Sequence, residues 1–364
     1  METLRPDICI VGAGIAGASI AAAIGSRARV LLVEGESRPG YHSTGRSAAF
    51  WSESYGGPAV QPLTTASHQA LAPFLHPRGC LHIADADGEG ALDRLAIEFA
   101  GRPPWLDLLD RAQLEGVIPG LSPAFRRGLA EPSCADIDVA ALHAACLSEA
   151  RRAGATLLTD TPVQSLGRSG ERWEIATKAA PISAPIVVDA AGAWASELAR
   201  MAGAQPIAIT PYRRTVVQIA TDPPARADMP LVMDTRGRFY FKPEGQGRLW
   251  LSPHDETGVA AHDVAPEELD VAIAIHQFEQ VVDWRVTRRE HAWAGLRSFS
   301  PDRAPVLGFD ENVPGFFWCA GQGGFGIQTA PAAAAIGAAL LLGETMPDWV
   351  REIDVERYAP GRFT

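Results

Sequence analysis

The strongest constraint on the fold sits at the start of the chain, in DICIVGAGIAGASIAAAIGSRARVLLVEGE from Asp7 to Glu36. Ile8 to Val11 are all apolar, the pattern of a strand buried on both faces of a parallel sheet. Gly12, Gly14 and Gly17 come next at G-x-G-x-x-G spacing, with Ile15 and Ala16 between the last two, and IAGASIAAAIG reads as a small-residue helix. The glycines have separate roles, since one makes the tight turn, one lets backbone approach a pyrophosphate, and one lets the helix lie close to the strand. A second apolar strand, RVLLVE, ends in Glu34, where a carboxylate can accept hydrogen bonds from a ribose diol. Strand, glycines, helix, strand and terminal acid in this order specify a dinucleotide site.

Composition removes several other functions. With 364 residues and 47% hydrophobic content the chain can form two packed domains. The formal net charge is -11, and lysine occurs only at Lys178 and Lys242, so a nucleic-acid partner is not expected. Cys9, Cys80, Cys134, Cys146 and Cys319 form no C-x-x-C pair, and the histidines form no H-x-x-x-H cluster. No metal site is expected, and the thiols fit a reducing compartment. The few residues before Asp7 do not make a signal peptide, so the expected location is cytoplasmic. The apolar stretch APAAAAIGAALLLG (Ala330 to Gly343) is shorter than the roughly 20 residues of a membrane span and reads as a buried helix, with no transmembrane anchor.

The choice between NAD and FAD is made by the residues after Glu34. SRPGYHSTGRSAAFWSESYG (Ser37 to Gly56) is rich in Gly, Ser and Thr where a simple NAD domain would continue into further βα units. Three later stretches belong with it: TPVQSL (Thr161 to Leu166), IVVDAAGAWASELARMAG (Ile186 to Gly203) and FFWCAGQGGFGIQTAPAAAAIG (Phe316 to Gly337). In order and spacing these motifs resemble the glycine oxidase and D-amino-acid oxidase family of flavoproteins, most closely its bacterial D-arginine dehydrogenase branch.

The resemblance implies an α/β fold: a Rossmann-like FAD-binding domain of the glutathione-reductase type, with a mixed, largely antiparallel β-sheet substrate domain covered by helices. The FAD domain would be discontinuous, built from residues 1–56, 140–204 and 306–364, and the substrate domain from 57–139 and 205–305. The cofactor implied is FAD, held noncovalently, since no cysteine falls where a flavin tether is expected. His42, Ser43, Thr44, Arg46, Ser47 and Ala48 would run along the pyrophosphate and the ring. Val163 would touch the adenine, and Ala191, Gly192 and Trp194 would make a third contact. Gly323, Gly324, Phe325, Gly326, Ile327, Gln328 and Thr329 would lie against the flavin's pyrimidine edge, with a helix N-terminus aimed at it.

Flavin oxidation of an α-amino acid needs a group for the carboxylate, a neutral amine and a dry cavity, and no protein nucleophile. Arg297, in WAGLRSFSPD, matches the family's carboxylate-binding arginine, and its planar fork suits that role. Tyr240, in GRFYFKP, matches a carboxylate donor; period-two alternation places it with Arg238 and Lys242, opposite Phe239 and Phe241. Arg214 matches a pocket arginine, with Arg213 pointing the other way, and Tyr55 matches a tyrosine near the amine. Phe50 stands where the D-arginine branch has a histidine. Cys80 stands at or beside the position of its guanidinium-binding carboxylate, with His82 on the same strand face, an environment expected to favour an anion over a cation. The function expected is oxidation of an N-substituted glycine, such as iminodiacetate, or of a non-cationic D-amino acid, with oxygen or a quinone reoxidising the flavin. Oxidation of a 2-hydroxy acid and non-catalytic flavin binding are the alternatives.

Overall fold

In the computed structural model, which describes residues 2–364, segments far apart in sequence assemble one sheet. Its strands run, in spatial order, Val306–Phe309, Phe316–Ala320, Ile186–Asp189, Ile8–Val11, Val30–Val33 and Thr156–Leu158. All neighbours are parallel except the pair made by Val306–Phe309 with Phe316–Ala320. The apolar runs read from sequence are therefore central strands, with Ile8, Ile10, Val188 and Phe317 nearly inaccessible to solvent.

Helices Ile15–Ile24, Val139–Arg152 and Gly326–Leu342 pack on one face of this sheet. The first and last are apolar nearly all round because they are buried between sheet and neighbours. Their approach depends on small residues: a Cβ at Gly337 would lie 3.0 Å from Ile20 Cδ1. The other face is covered by a three-stranded antiparallel sheet of Val163–Ser169, Arg172–Thr177 and Ile182–Ala184, packed through Trp173 against Cys9, Leu31 and Trp318.

A second, larger sheet runs Gln322–Gly323, Arg285–Phe299, Thr210–Asp222, Arg248–Ser252, Tyr240–Pro243, Leu231–Asp234, Cys80–Ala84, Arg127–Glu131 and Asp107–Leu109. It is antiparallel except where Leu231–Asp234 meets Cys80–Ala84. This is the mixed, largely antiparallel sheet implied by the sequence. One face packs Phe239, Phe241, Leu249 and Leu251 against helix Glu268–Val281. The other face carries Arg214, Tyr240, Trp250 and Arg297. The two layers meet at the C-terminal glycine turn, where Gly323 pairs with Ser298 and Gln322 with Phe299 before helix Gly326–Leu342 begins. Among the described residues no helix is long and apolar enough to cross a membrane.

Gly17 is the position where the first turn has no spare room: a Cβ there would lie 1.9 Å from Gly12 O, a backbone atom that cannot move aside cheaply. Gly17→Ala is expected to cost about 2 kcal/mol or more through overpacking, read as a lower denaturation midpoint in urea. An unchanged midpoint would show that the strand and helix do not meet this closely.

Candidate functional site

A groove of about 440 Å³ runs along the C-terminal edge of the parallel sheet. At one end it is lined by Val33, Glu34, Gly35 and Thr161 to Val163. Its middle is formed by Gly12 to Ala16 without Ala13, by His42, Ser43 and Thr44, and by Ala190 to Trp194. At the far end stand Arg46, Ser47, Ala48, Gly295 to Ser298, and Gln322 to Gly324 with Gly326 and Ile327.

The turn is held from several sides. Gly12 has φ +101, and a Cβ there would lie 2.4 Å from Ala190 O. Ala13 N donates to Glu34 Oε2 at 2.9 Å, Ile15 N to Thr44 Oγ1 at 3.0 Å, and the buried His143 places Nε2 2.8 Å from Ala13 O. Asp189 closes the neighbouring strand: one oxygen accepts from Ala191 N at 3.1 Å, and burial pushes its carboxyl up to about 8. Among the described residues the first turns of helices Ile15–Ile24 and Gly326–Leu342 carry no acidic side chain, so both N-termini favour an anion in the groove. A bare-backbone cradle, a carboxylate at the ribose end and two helix N-termini fit FAD.

Most of the cofactor residues expected from sequence line this groove. His42 Nε2 lies 2.9 Å from Glu36 Oε1, and Ser43 Oγ donates to Leu296 O at 2.6 Å. Arg46 donates to Val264 O at 3.0 Å and Ala294 O at 3.3 Å and pairs with Asp263, tying the ring-side segment to the large sheet. Four positions depart from the expectation, since Gly17, Phe325, Gln328 and Thr329 do not line the groove. Gly17 serves helix packing. Phe325 packs on Tyr55 and Phe299, Gln328 Nε2 donates to Tyr55 O and Thr64 Oγ1, and Thr329 Oγ1 donates to Phe325 O. These side chains lie on the inner side of a turn whose backbone faces the groove.

At the far end Arg297 Nη1 donates to Tyr55 OH at 2.6 Å. Gly324 makes room for the pair: a Cβ there would lie 2.9 Å from Nη1 and 3.0 Å from the hydroxyl. Arg214 donates through Nε to Asp255 O at 2.8 Å and through Nη2 to Glu256 Oε1 at 3.1 Å. Its Nη1 and the Tyr240 hydroxyl are buried with no hydrogen-bond partner among the described residues. Burial lowers the Arg214 pKa, and the nearby Arg297 charge lowers it further. Burial acts to raise the Tyr55 hydroxyl, but Arg297 and Arg214 outweigh it and hold the group below its ordinary value. Arg213 points to the opposite face, to Asp270 at 2.8 Å and to Glu267.

Two residues have no place in the sequence reading. His254 lies two residues past the strand Arg248–Ser252; its ring centroid is 5.9 Å from that of Tyr240 and 6.4 Å from that of Tyr55. Its Nδ1 faces Gly237 O at 2.7 Å, which leaves Nε2 as the acceptor. Burial, then Arg214 and Arg297, push its pKa down to about 2. The second is Glu131, fully buried and paired in register with Cys80.

Glu131 corrects the reading of the pocket wall. It accepts from Ser52 Oγ at 2.9 Å and Glu53 N at 2.7 Å, also bonds Ser54, and lies 3.6 Å from His82 Nε2. His82 in turn lies 3.1 Å from Ser54 Oγ. The environment of Cys80 and His82 is thus a closed network around a carboxylate, and neither lines the groove. Phe50 is also inside, with ring distances of 5.1 Å to Tyr55 and 6.1 Å to Tyr240. Glu131 has no local sequence signal, because only strand pairing brings it to Cys80.

Glu34→Ala is expected to weaken FAD binding about tenfold, the loss of a charge-assisted hydrogen bond, measured as the FAD dissociation constant. An unchanged constant would remove Glu34 from the site. His254 supplies a pH dependence: its folded pKa lies below the ordinary 6.5, so its contribution to stability is complete above 6.5 and declines as pH falls from there toward 2. Between pH 7 and 5 wild type should lose roughly 1–2 kcal/mol that His254→Gln retains. Parallel pH profiles for the two proteins would show that His254 titrates normally.

The profile of the FAD dependent oxidoreductase family, DAO, matches residues 7–340. The chain is 27% identical over 261 residues to hydrogen cyanide synthase subunit HcnC of Pseudomonas aeruginosa, covering 70% of this chain and 59% of that protein. It is 28% identical over 266 residues to the mitochondrial dimethylglycine dehydrogenase of Rattus norvegicus, covering 65% of this chain and 30% of that one. The chain thus spans less than two thirds of the length of these relatives. Its fold is that of the glycine oxidase from Geobacillus kaustophilus, at TM-score 0.85 and 23% identity with 98% of each chain covered. It is likewise that of the iminodiacetate oxidase from Chelativorans sp. BNC1, at TM-score 0.80 and 21% identity with 97% of this chain and 98% of that one covered. With nearly its whole length matched and the groove fitted to the cofactor, the chain belongs to the family of FAD-dependent oxidoreductases.

Proposed function

We propose that the chain oxidises the Cα–N bond of an amino acid, an N-substituted glycine such as iminodiacetate or another N-carboxymethyl amine, or a non-cationic D-amino acid. The product is an imine that hydrolyses to a 2-oxo acid, glyoxylate in the N-carboxymethyl case. The observation that carries this reading is the buried guanidinium of Arg214 beside the half-buried Arg297, with Arg214 Nη1 and the Tyr240 hydroxyl unpartnered among the described residues. Buried donors of this kind call for an anion with several acceptor lone pairs, and a carboxylate supplies them.

FAD bound in the groove supplies the two-electron acceptor. Arg297 and Tyr240 grip the substrate carboxylate, Arg214 adds charge and a further donor, and Tyr55 is held against Arg297 beside them. His254, uncharged at neutral pH, offers Nε2 as an acceptor to a substrate N–H. Phe50 backs both tyrosines and helps exclude water. A cationic side chain has no free acceptor at Glu131, whose oxygens are already engaged. The resemblance to the D-arginine dehydrogenase branch therefore does not extend to cationic substrates. The names of two proteins similar to this chain, dimethylglycine dehydrogenase and iminodiacetate oxidase, support an N-substituted glycine.

One observation favours a second reading. A neutral histidine near the two tyrosines is also the base that oxidation of a 2-hydroxy acid requires. Anaerobic mixing of the holoprotein with N-carboxymethyl amines, D-amino acids and 2-hydroxy acids separates the two by which class bleaches the oxidised flavin band. Bleaching by hydroxy acids alone overturns the amine reading.

Arg297→Ala is expected to lower the efficiency of substrate-dependent flavin reduction by on the order of 3–5 kcal/mol, a factor of hundreds to thousands, with the flavin spectrum retained. Arg297→Lys should recover little, because it keeps the charge and loses the fork. A wild-type reduction rate and half-saturating concentration in Arg297→Ala would place the carboxylate elsewhere.

A further inference from the structure

A second cavity, of about 590 Å³, shares Arg46 and Ser47 with the cofactor groove, so this short segment is a common wall between the two. Its floor is set by strand register. His291, Gln218, Trp250 and Lys242 stand opposite one another across four adjacent strands and share one face of the large sheet. Trp293, two residues beyond His291, stacks on it at 5.6 Å and 22° and meets Trp250 edge-on at 5.1 Å and 79°.

The two indoles are used differently. Trp293 Nε1 donates to Arg46 O at 3.0 Å and so steadies the shared wall. Trp250 Nε1 is buried with no acceptor among the described residues. The Lys242 ammonium lies 5.0 Å above the Trp250 ring and draws electron density from it, which sharpens the N–H as a donor. Lys242 is itself neutralised by Asp136 at 2.8 Å, so the cavity gains this polarisation without a free charge. Val264, Pro266 and Ala292 give apolar walls, and Gln218 adds an amide. A flat conjugated ring bearing a carbonyl oxygen meets each of these features: faces to stack on, an indole donor for the oxygen, and a position one backbone segment from the flavin end of the groove.

We propose that this cavity binds a quinone, which reoxidises the reduced flavin across the Arg46–Ser47 wall. Two electrons pass from the reduced flavin through the wall to the quinone, which takes two protons from solvent and leaves as quinol, while the reoxidised flavin releases its own protons to solvent. The inference uses the bound FAD and is independent of which substrate reduces it.

The test uses holoprotein and a short-chain soluble ubiquinone. Calorimetric titration of the oxidised holoprotein should give saturable binding. Anaerobic mixing with photochemically reduced holoprotein, free of excess reductant, should restore the oxidised flavin band at a rate that saturates with quinone. Trp250→Phe keeps the ring and loses the N–H, and should weaken the titrated affinity and raise the half-saturating concentration about fivefold. If that variant does not hold FAD, Gln218→Leu carries the same comparison. No calorimetric binding, a reoxidation rate that stays linear in quinone, or unchanged affinity in the variants would overturn the proposal. Substrate failing to reduce the flavin would leave these measurements intact, so the failure of the amine reading and of this one are distinguishable.

Discussion

The site is organised by two neighbouring positive charges, one buried and one half-buried, with no anion between them. Arg214 and Arg297 come from adjacent strands, and burial makes each expensive unless charge or hydrogen bonds compensate. Partial compensation is visible: Asp255 and Glu256 bond Arg214, and Tyr55 bonds Arg297. The remainder, one guanidinium nitrogen and one tyrosine hydroxyl, is buried with no partner among the described residues. Burial, reinforced by the same two charges, keeps His254 neutral, with Nδ1 facing Gly237 O. Burial thus acts on both groups, leaving the Arg214 guanidinium short of partners and His254 uncharged.

The nucleotide half of the molecule is legible in sequence because its demands are local. A glycine whose added Cβ would strike Ala190 O, a buried strand and a terminal acid are each encoded within a few residues of where they act. Period-two alternation likewise assigns the faces of Tyr240 and Arg213, since strand geometry fixes them without reference to partners. The hidden features depend on pairing between strands distant in sequence. Glu131 reaches Cys80 only through the register of Cys80–Ala84 with Arg127–Glu131, and it turns an expected anion-friendly wall into a closed network. His254 lies beyond the end of a strand, and its neutrality comes from burial and from Arg214 and Arg297, both far from it in sequence. The C-terminal turn reads correctly as a close-approach motif, but which side chains face inward is decided by packing on Tyr55 and Phe299, which the motif does not encode.

That C-terminal turn also explains how two layers with separate cores act on one ligand. Gly323 has φ +54, and an added Cβ would lie 2.2 Å from the Phe299 ring, so the turn can hydrogen-bond to the edge of the large sheet only as glycine. The strand it joins, Arg285–Phe299, carries Arg297, while the helix after it points its N-terminus into the groove. The placement of Arg297 and of the helix N-terminus at the groove is therefore set by one backbone junction.

The same face of the large sheet lines both cavities. Along Thr210–Asp222 and its neighbours, Arg214, Val216 and Gln218 alternate with residues of the apolar core, and Gly295, Trp293 and His291 stand opposite them. A slip of one residue would turn Arg214 to the face that holds Arg213 and Thr215 and bring Val217 to the groove. The register first shifts between Gln218 and Ile219, just past the row that lines the second cavity. Up to that point the pairing is regular, so Arg214, Arg297 and the aromatic row are fixed relative to each other by consecutive backbone hydrogen bonds. The segment from Arg46 to Ala48 then crosses this face, anchored by Arg46 to Ala294 O and by Trp293 to Arg46 O, and separates the two cavities with a wall that neither side chain set could hold alone.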